Sequence, residues 1–269
     1  MPVVTSSICQ YDHFYSEWYA RWVPHVGGPV GVHIDQPHSY RKLWEWAAIL
    51  DGIHSRGKMV EGAKGLGFAV GQEPLSSVIA ARGPTILASD YPGESHWMES
   101  DEHAASLEPL FWPGEISREL FDQRVSFRPV DMADLSSLPT GEFDFLWSSC
   151  AFEHIGTLED GLSFVINAMK LLKPGGIAFH TTEINLGSND ETIAGGGNCI
   201  YRKRDIEELD RRLRLNRCGL EAFDWNPGHH PYDLDFDHPP YFQNGKAHIK
   251  LEMEGHVTTS CLLIAHKGG

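Results

Sequence analysis

The sequence predicts an α/β fold in which helices cover both faces of a mostly parallel sheet. Short apolar runs alternate with helix-like stretches along most of the chain. One apolar run ends in a bend at Gly71, and the next ends in Asp90. Parallel strands that are buried on both faces have nearly continuous apolar sequences and are usually joined by helices.

The segment KGLGFAVGQEPLSSVIAARGPTILASDY, residues 64–91, has the pattern of a βαβ unit that binds an adenosine-containing cofactor. Gly67 and Gly71 leave room for close approach of the backbone, and Pro74 suits the first turn of a helix that starts near Leu75. Asp90 follows nineteen residues after Gly71, where a carboxylate can accept hydrogen bonds from ribose hydroxyls. Because the glycine spacing is incomplete, an ordinary turn between strand and helix is the alternative.

Three further strands are predicted downstream, over residues 125–135, 143–150 and 177–185. The first of them ends near Asp131. A helix precedes the last one, with a capping box formed by Thr157 and Asp160. Its apolar stripe consists of Leu162, Val165, Ile166, Met169 and Leu172, and the sequence Lys173-Pro174-Gly175-Gly176 is expected to end it.

The block FDFLWSSCAFEHIG, followed by LLKPGGIAFHTTE, resembles class I S-adenosylmethionine-dependent methyltransferases that act on small molecules. The resemblance covers roughly residues 58–265. It implies a Rossmann-like three-layer sandwich with a mostly parallel, seven-stranded sheet and an antiparallel edge strand. The last strands are then expected at 219–225 and 257–265.

The resemblance also implies a set of cofactor-binding positions. Gly71 corresponds to the central glycine of the family's loop, Asp90 to the acid that holds the ribose, and Ser148 to the backbone near the methionine portion. Asp131 and Met132 correspond to the residues that contact the adenine.

The glycine loop departs from the family pattern at three positions. Gly67 stands where the family commonly has an acid, and Ala69 and Glu73 each replace a loop glycine. The resemblance therefore implies that these three residues line the cofactor, but it leaves the contacts of the methionine amine open.

The candidate catalytic residues are Glu153 and His154, which follow the predicted fourth strand at the edge of the sheet where ligands bind. Methyl transfer to an oxygen requires alignment of the acceptor and removal of its proton, and histidine, with an ordinary pKa of about 6.5, suits a general base. In the alternative interpretation, Glu153 caps the next helix and His154 packs under the sheet. His180 and Glu183 form a second candidate pair.

The chain is expected to consist of a helical extension, residues 1–57, and a cofactor-binding domain, residues 58–269. Insertions are expected at 92–124 and 226–256. The aromatic helices of the extension could cap the cofactor or bind substrate, but an aromatic stripe more often packs in the core.

The balance of 37 acidic against 22 basic residues gives a net charge of −15, which disfavours a nucleic-acid partner. The start of the chain does not resemble a secretory signal, and no apolar run approaches the length of a membrane span, so a cytoplasmic protein is expected. The five cysteines are scattered and suggest neither a zinc site nor a disulfide framework. The oligomeric state is left open.

Histidines and aspartates are concentrated in the loop 228–241, where three aspartates could converge on a divalent metal. They are His229, His230, Asp233, Asp235, Asp237 and His238. The prolines of this loop favour the alternative that the side chains are solvated or bind substrate, and no metal ligand is assigned.

The sequence as a whole predicts S-adenosylmethionine-dependent methyl transfer to a small polar acceptor, such as a sugar or secondary-metabolite hydroxyl. A nicotinamide-dependent oxidoreductase and a non-catalytic binding protein of the same fold are the alternatives.

Overall fold

The computed structural model describes residues 3–27, 40–93, 103–243 and 245–269. Within these ranges a single sheet has the strand order β1-β9-β6-β5-β2-β3-β4, and β7 and β8 also pair with β9. The strands are β1 Ser7–Ile8, β2 Lys64–Phe68, β3 Thr85–Asp90, β4 Val125–Pro129, β5 Phe143–Ser149, β6 Leu172–Asn185, β7 Cys218–Leu220, β8 Leu251–Met253 and β9 His256–Lys267.

Helices connect the strands of this sheet and cover it. They are α1 Glu17–Trp22, α2 Arg41–Ser55, α3 Leu75–Ala80, α4 Arg118–Arg124, α5 Leu158–Ala168, α6 Lys203–Leu215 and α7 Pro231–Leu234. None of the helices in the described ranges is long and apolar enough to cross a membrane.

The sheet confirms the predicted mostly parallel α/β fold, since β4, β3, β2, β5 and β6 pair in parallel. The antiparallel strand β9 pairs with β6 on one side, and on its other side it pairs with three short strands, so the described sheet has nine strands rather than the expected seven. Because β9 is twelve residues long, β8, β1 and β7 each cover a different part of its outer edge. Residues from the beginning of the chain thus complete the sheet.

Two apolar layers separate the sheet from its helices. On one face, Trp44 and Ile49 of α2 pack with Trp147 and Phe179 of the sheet. On the other face, the side chains of α5 and α6 pack against Phe68 and its neighbours. Alternate residues of each strand enter opposite layers, which explains the nearly continuous apolar runs in the sequence.

Several predicted boundaries differ from the structure, and the strand expected at 219–225 is confined to the three residues of β7. Strand β4 ends at Pro129 rather than near Asp131. Helix α5 begins with the predicted capping box but ends at Ala168, and β6 starts at Leu172 rather than at 177. The Lys173–Gly176 stretch that was expected to stop the helix lies within β6, where Gly175 has a φ of 74° and the register with β5 shifts.

Candidate active site

The bend after β2 brings the backbone across the carboxyl edge of the sheet. Ala69 has a φ of 46° and Gly71 a φ of 51°, so both residues are left-handed. The amide of Val70 donates to the carbonyl of Ser89, which ties the bend to β3. A left-handed conformation favours glycine, so Ala69, which replaces a family glycine, keeps the loop's geometry at a cost in strain.

Asp90 ends β3 and lies under this bend. Its Oδ2 accepts hydrogen bonds from the amides of Gly71 at 2.9 Å and Ala104 at 3.0 Å, and its Oδ1 accepts from the amide of Tyr91 at 2.8 Å. The Nε2 atom of His103 lies 3.9 Å from Oδ1. Asp90 thus joins the bend to the residues that follow β3, and a ribose would compete with Ala104 for the same carboxylate.

A cavity of about 180 Å³ opens beside Asp90. Tyr91, Pro92, His103, Ala105, Phe127 and Pro129 are among the residues that line it. Its walls are largely apolar rings and aliphatic groups, which suit a flat heteroaromatic base.

The space beside Gly67 is filled by protein. A Cβ atom built on Gly67 would lie 2.4 Å from Cζ2 of Trp147, which stands opposite in β5. The space that the missing side chain of Gly67 leaves is therefore occupied by the ring of Trp147. No other residue type fits at Gly67 without displacing that ring.

Glu73 is buried at the end of the bend, and its Oε1 accepts a hydrogen bond of 2.7 Å from Nε1 of Trp147. Burial raises the pKa of Glu73 to about 8, although the Trp147 hydrogen bond and the nearby Lys42 oppose this shift.

The remaining predicted cofactor residues lie around the same edge. Asp131 follows β4 and accepts a hydrogen bond from the amide of Ala133, and Met132 is buried in the layer that contains Phe68. Ser148 lies in β5 beside Phe68 of β2, and its hydroxyl is hydrogen-bonded to Nδ1 of His180 at 2.8 Å.

Glu153 and His154 lie in the short 3-10 turn Phe152–His154, directly after β5. Glu153 is buried; its Oε2 accepts a hydrogen bond of 3.0 Å from Thr182, and its Oε1 has no partner within the described ranges. Burial raises the pKa of Glu153, the proximity of His154 opposes that shift, and Glu183 adds to it. His154 Nδ1 donates to the carbonyl of Gly197 at 2.8 Å.

The first turn of α2 adds charged groups to this edge that the sequence interpretation did not assign to the site. Lys42 donates to Glu45 at 2.8 Å, and Arg41 donates to Glu183 and to Ser260. Hydroxyl groups of the strands surround Glu45. We call this set the polar cluster; it consists of Arg41, Lys42, Glu45, Ser149, Thr181, Glu183 and Ser260.

The second candidate pair is divided between the core and the polar cluster. His180 is fully buried between the rings of Phe152 and Phe164, and burial lowers its pKa to about 3. The structure therefore makes His180 a neutral core residue, and leaves Glu183 in the cluster with Arg41.

The acidic loop does not gather its aspartates. Asp233 accepts from the amide of Tyr11, Asp235 pairs with Lys246, and Asp237 pairs with His248. The suggestion that the three aspartates converge is wrong, because each is bound to a different partner. Within the described ranges, Cys150, Glu153 and Glu183 form the group with metal-ligand spacing, with candidate atoms within 4.8 Å of one another. Arg41 already supplies a cation to Glu183 there.

Residues 69–180 match a family model described as a methyltransferase domain. No curated protein matches the chain significantly. The fold is similar to the crystal structure of the [4+2]-cyclase SpnF, with 17% identity, a TM-score of 0.56 and coverage of 98% of this chain and 99% of that one. It is also similar to phosphoethanolamine N-methyltransferase 2 from Haemonchus contortus in complex with S-adenosyl-L-methionine, with 13% identity, a TM-score of 0.50 and coverage of 95% and 58%.

The family match assigns residues 69–180 to a methyltransferase domain, and the sheet topology agrees with the Rossmann-like fold of the class I S-adenosylmethionine-dependent methyltransferases that the sequence resembles. S-adenosylmethionine is the cofactor that the sequence resemblance implies, and the family match does not favour the oxidoreductase alternative. One of the similar folds is named for a cyclisation, so the fold by itself does not specify the reaction.

The residues at the carboxyl edge fit this cofactor. The left-handed bend at Gly71 lies over the Asp90 carboxylate, and the apolar cavity lies next to it. One oxygen of the buried Glu73 carboxyl has no hydrogen-bond partner in the described ranges. A ligand with an adenine, a ribose and a polar amino acid portion would satisfy these three features.

Proposed function

We propose that this enzyme methylates an oxygen of a small, uncharged, polar acceptor, such as a sugar or a secondary-metabolite hydroxyl. The observation that carries the proposal is the Oε1 atom of Glu153, a buried oxygen without a partner in the described ranges, beside His154 at the end of β5. An unpaired buried polar atom is costly, and an acceptor hydroxyl would supply the missing hydrogen bond.

The charges around the site support an uncharged acceptor. Lys42 is paired with Glu45, and Arg41 is paired with Glu183. A phosphorylated or carboxylated acceptor would have to compete with these carboxylates for its cation. A hydroxylated acceptor needs only hydrogen-bond partners, which the carboxylates and hydroxyls of the polar cluster offer.

In this proposal, the cofactor is held by the backbone of the bend at Gly67, Ala69 and Gly71, by Glu73, and by Asp90. Asp131 and Met132 contact its adenine end, and Ser148 lies near its methionine end. When bound, S-adenosylmethionine supplies a methyl group on a positively charged sulfur, which is a good leaving group.

The protein's own task is to orient the acceptor and remove its proton. A carbonyl can only accept, so the bond to Gly197 places the proton of a neutral His154 on Nδ1 and the lone pair on Nε2. We assign His154 as the base and Glu153 as the residue that orients the acceptor hydroxyl.

The test is transfer of label from methyl-tritiated S-adenosylmethionine to a panel of sugars, glycosides, phenols, amines and phosphorylated compounds. Labelling of neutral hydroxylated compounds is expected. Labelling only of amines or of phosphorylated compounds would contradict the acceptor class, and cofactor binding without any labelling would favour the non-catalytic alternative.

Variants of the pair separate chemistry from binding. His154→Gln is expected to lower kcat about 100-fold or more, with cofactor affinity unchanged, whereas Glu153→Gln is expected mainly to raise the acceptor KM. His54→Gln, at an exposed position near the end of α2, is the control. Full activity of His154→Gln would exclude His154 as the base.

A further inference from the structure

The family's usual acid at the start of the glycine loop is absent from this chain, and the structure shows what occupies its place. Gly67 and Trp147 are directly opposite each other in β2 and β5. The indole ring lies where a side chain on Gly67 would be, within 2.4 Å of the position of a Cβ atom. An acid at Gly67 is therefore sterically incompatible with Trp147.

The same indole ring holds a different acid. Nε1 of Trp147 donates a 2.7 Å hydrogen bond to Oε1 of Glu73, at the end of the bend and next to the start of α3. Trp147 immediately precedes Ser148, the residue expected beside the methionine portion of the cofactor. The acid that the family has at the position of Gly67 is thus absent, and Trp147 instead fixes the carboxyl group of Glu73 nearby.

The second oxygen of Glu73 is available to a ligand. Within the described ranges, no group is hydrogen-bonded to Oε2, and this atom is not among the buried polar atoms that lack a partner. Its residue is nevertheless buried, with 5% of its surface exposed. The carboxyl group therefore lies below the surface, with one oxygen that no group in the described ranges binds.

Within the described part of the chain, Glu73 also forms no ion pair with a cationic side chain. Lys42 lowers the pKa of Glu73 from a distance, but its ammonium is hydrogen-bonded to Glu45. The other charges that influence Glu73 are the carboxylates of Asp90 and Glu45, which disfavour its ionised form. A positively charged ligand group would supply the counter-ion that the protein does not provide.

We propose that Glu73, positioned by Trp147, binds the ammonium group of the methionine portion of the cofactor in place of the acid that Gly67 lacks. This inference rests on the proposed cofactor site. It assigns the amine contact that the sequence left open and explains why a glutamate is compatible with a loop position where glycine is usual.

The experiment compares S-adenosylhomocysteine with 5′-methylthioadenosine, which has the same nucleoside and thioether but no amino acid group. Calorimetric titrations of both compounds are made with the unchanged protein and with Glu73→Gln, whose amide oxygen can still accept from Trp147. Glu119→Gln, at an exposed position of α4, is the matched control. Circular dichroism verifies that each variant is folded.

Glu73→Gln is expected to weaken the binding of S-adenosylhomocysteine about 10-fold or more, since the variant loses a hydrogen bond between two charged groups. Its affinity for 5′-methylthioadenosine should stay within about twofold. Equal losses for both compounds would mean that Glu73 only shapes the loop, and no loss for either would exclude the contact. If the unchanged protein bound neither compound, the proposed cofactor site itself would fail.

Discussion

Two buried glutamates a short distance apart have opposite electrostatic properties, and their hydrogen-bond partners explain the difference. Burial alone would raise the pKa of Glu45, but Lys42 and Arg41 outweigh it and lower the pKa to about 2. Glu73 has an indole N–H instead of a cation, and burial raises its pKa to about 8. Charge pairing rather than depth of burial thus decides which carboxyl is ionised in the free enzyme.

This difference predicts a pH dependence of stability at Glu73. The pKa of Glu73 is higher in the folded protein than in the unfolded protein. Its contribution to stability is therefore fully present below about pH 4.5 and is lost as the pH rises toward about 8. The loss approaches about 1.4 kcal/mol per pH unit between the two values. In urea unfolding between pH 5 and 8, the free energy of unfolding of Glu73→Gln should therefore decline less with rising pH than that of the unchanged protein.

The neighbouring charges Lys42, Glu45 and Asp90 are present in both proteins and serve as the internal reference for that comparison. Identical pH profiles for Glu73→Gln and the unchanged protein would show that Glu73 is ionised throughout the range. The sequence placed Glu73 in the cofactor loop, but its partner Trp147 lies 74 positions away. Only the pairing of β2 with β5 reveals their contact.

At the scale of elements, helix α2 shows both what the sequence could and could not predict. The helical spacing of Leu43, Trp46, Ala47, Leu50 and Ile53 predicts this helix. The last three of these residues are buried in the layer beside the sheet, and the first two are partly buried against it. The role of Arg41 was not predicted, because its partners Glu183 and Ser260 are on strands far along the chain, whereas Lys42 pairs with Glu45 in the same helix. A lysine followed by a glutamate three residues later was the available signal.

The pair of Arg41 and Glu183 predicts strong coupling between α2 and β6. Both side chains are largely buried, so removing one partner leaves an uncompensated charge. Arg41→Gln and Glu183→Gln are each expected to lower the free energy of unfolding by about 3 kcal/mol. In urea unfolding, the loss of unfolding free energy in the double variant should be much smaller than the sum of the losses in the two single variants. Additive losses would mean that the pair contributes nothing beyond its separate members.

The capping box of α5 predicts a smaller and purely local effect. The Thr157 hydroxyl accepts from the amide of Asp160, and the Asp160 carboxylate accepts from the amide of Thr157. Thr157→Ala should lower the free energy of unfolding by about 1 kcal/mol, measured by urea denaturation. Thr157→Ser keeps the hydroxyl and is the control; equal losses in both variants would argue against the cap as the cause.

At the scale of the whole molecule, the helices before residue 57 and the sheet share one apolar layer. Trp44 is fully buried in that layer together with Trp147 and Phe179. Residues 7–8 moreover pair with β9. The division into an extension and a domain remains a prediction, but this packing favours cooperative unfolding of both parts.

Trp44→Ala tests that cooperativity. Removal of a fully buried indole is expected to lower the free energy of unfolding by about 3–5 kcal/mol, and fluorescence and circular dichroism should report one coincident transition. Leu234→Ala, at an exposed position, should change little. A separate early transition that leaves most of the helical signal intact would show that the extension unfolds independently.

The alternation of apolar runs predicted the parallel core of the sheet correctly, because burial on both faces leaves a direct signature in the sequence. The short strands β1 and β8 were not predicted, and β7 is shorter than the strand expected at 219–225, since two or three residues cannot show a period. Their positions depend on the long outer edge of β9. For the same reason, the separate partners of the aspartates in the loop 228–241 could not be read from the sequence.

The central claim is that the carboxyl edge of β2, β3 and β5 binds S-adenosylmethionine. A thermal-shift titration with S-adenosylhomocysteine and, separately, with NADH tests it most directly, because only a ligand of the native state stabilises the fold. We expect S-adenosylhomocysteine to raise Tm, with about 2.7 kcal/mol of stabilisation at a concentration 100-fold above its Kd, NADH to have no effect, and Asp90→Ala to abolish the shift. A shift with NADH and none with S-adenosylhomocysteine would contradict the account.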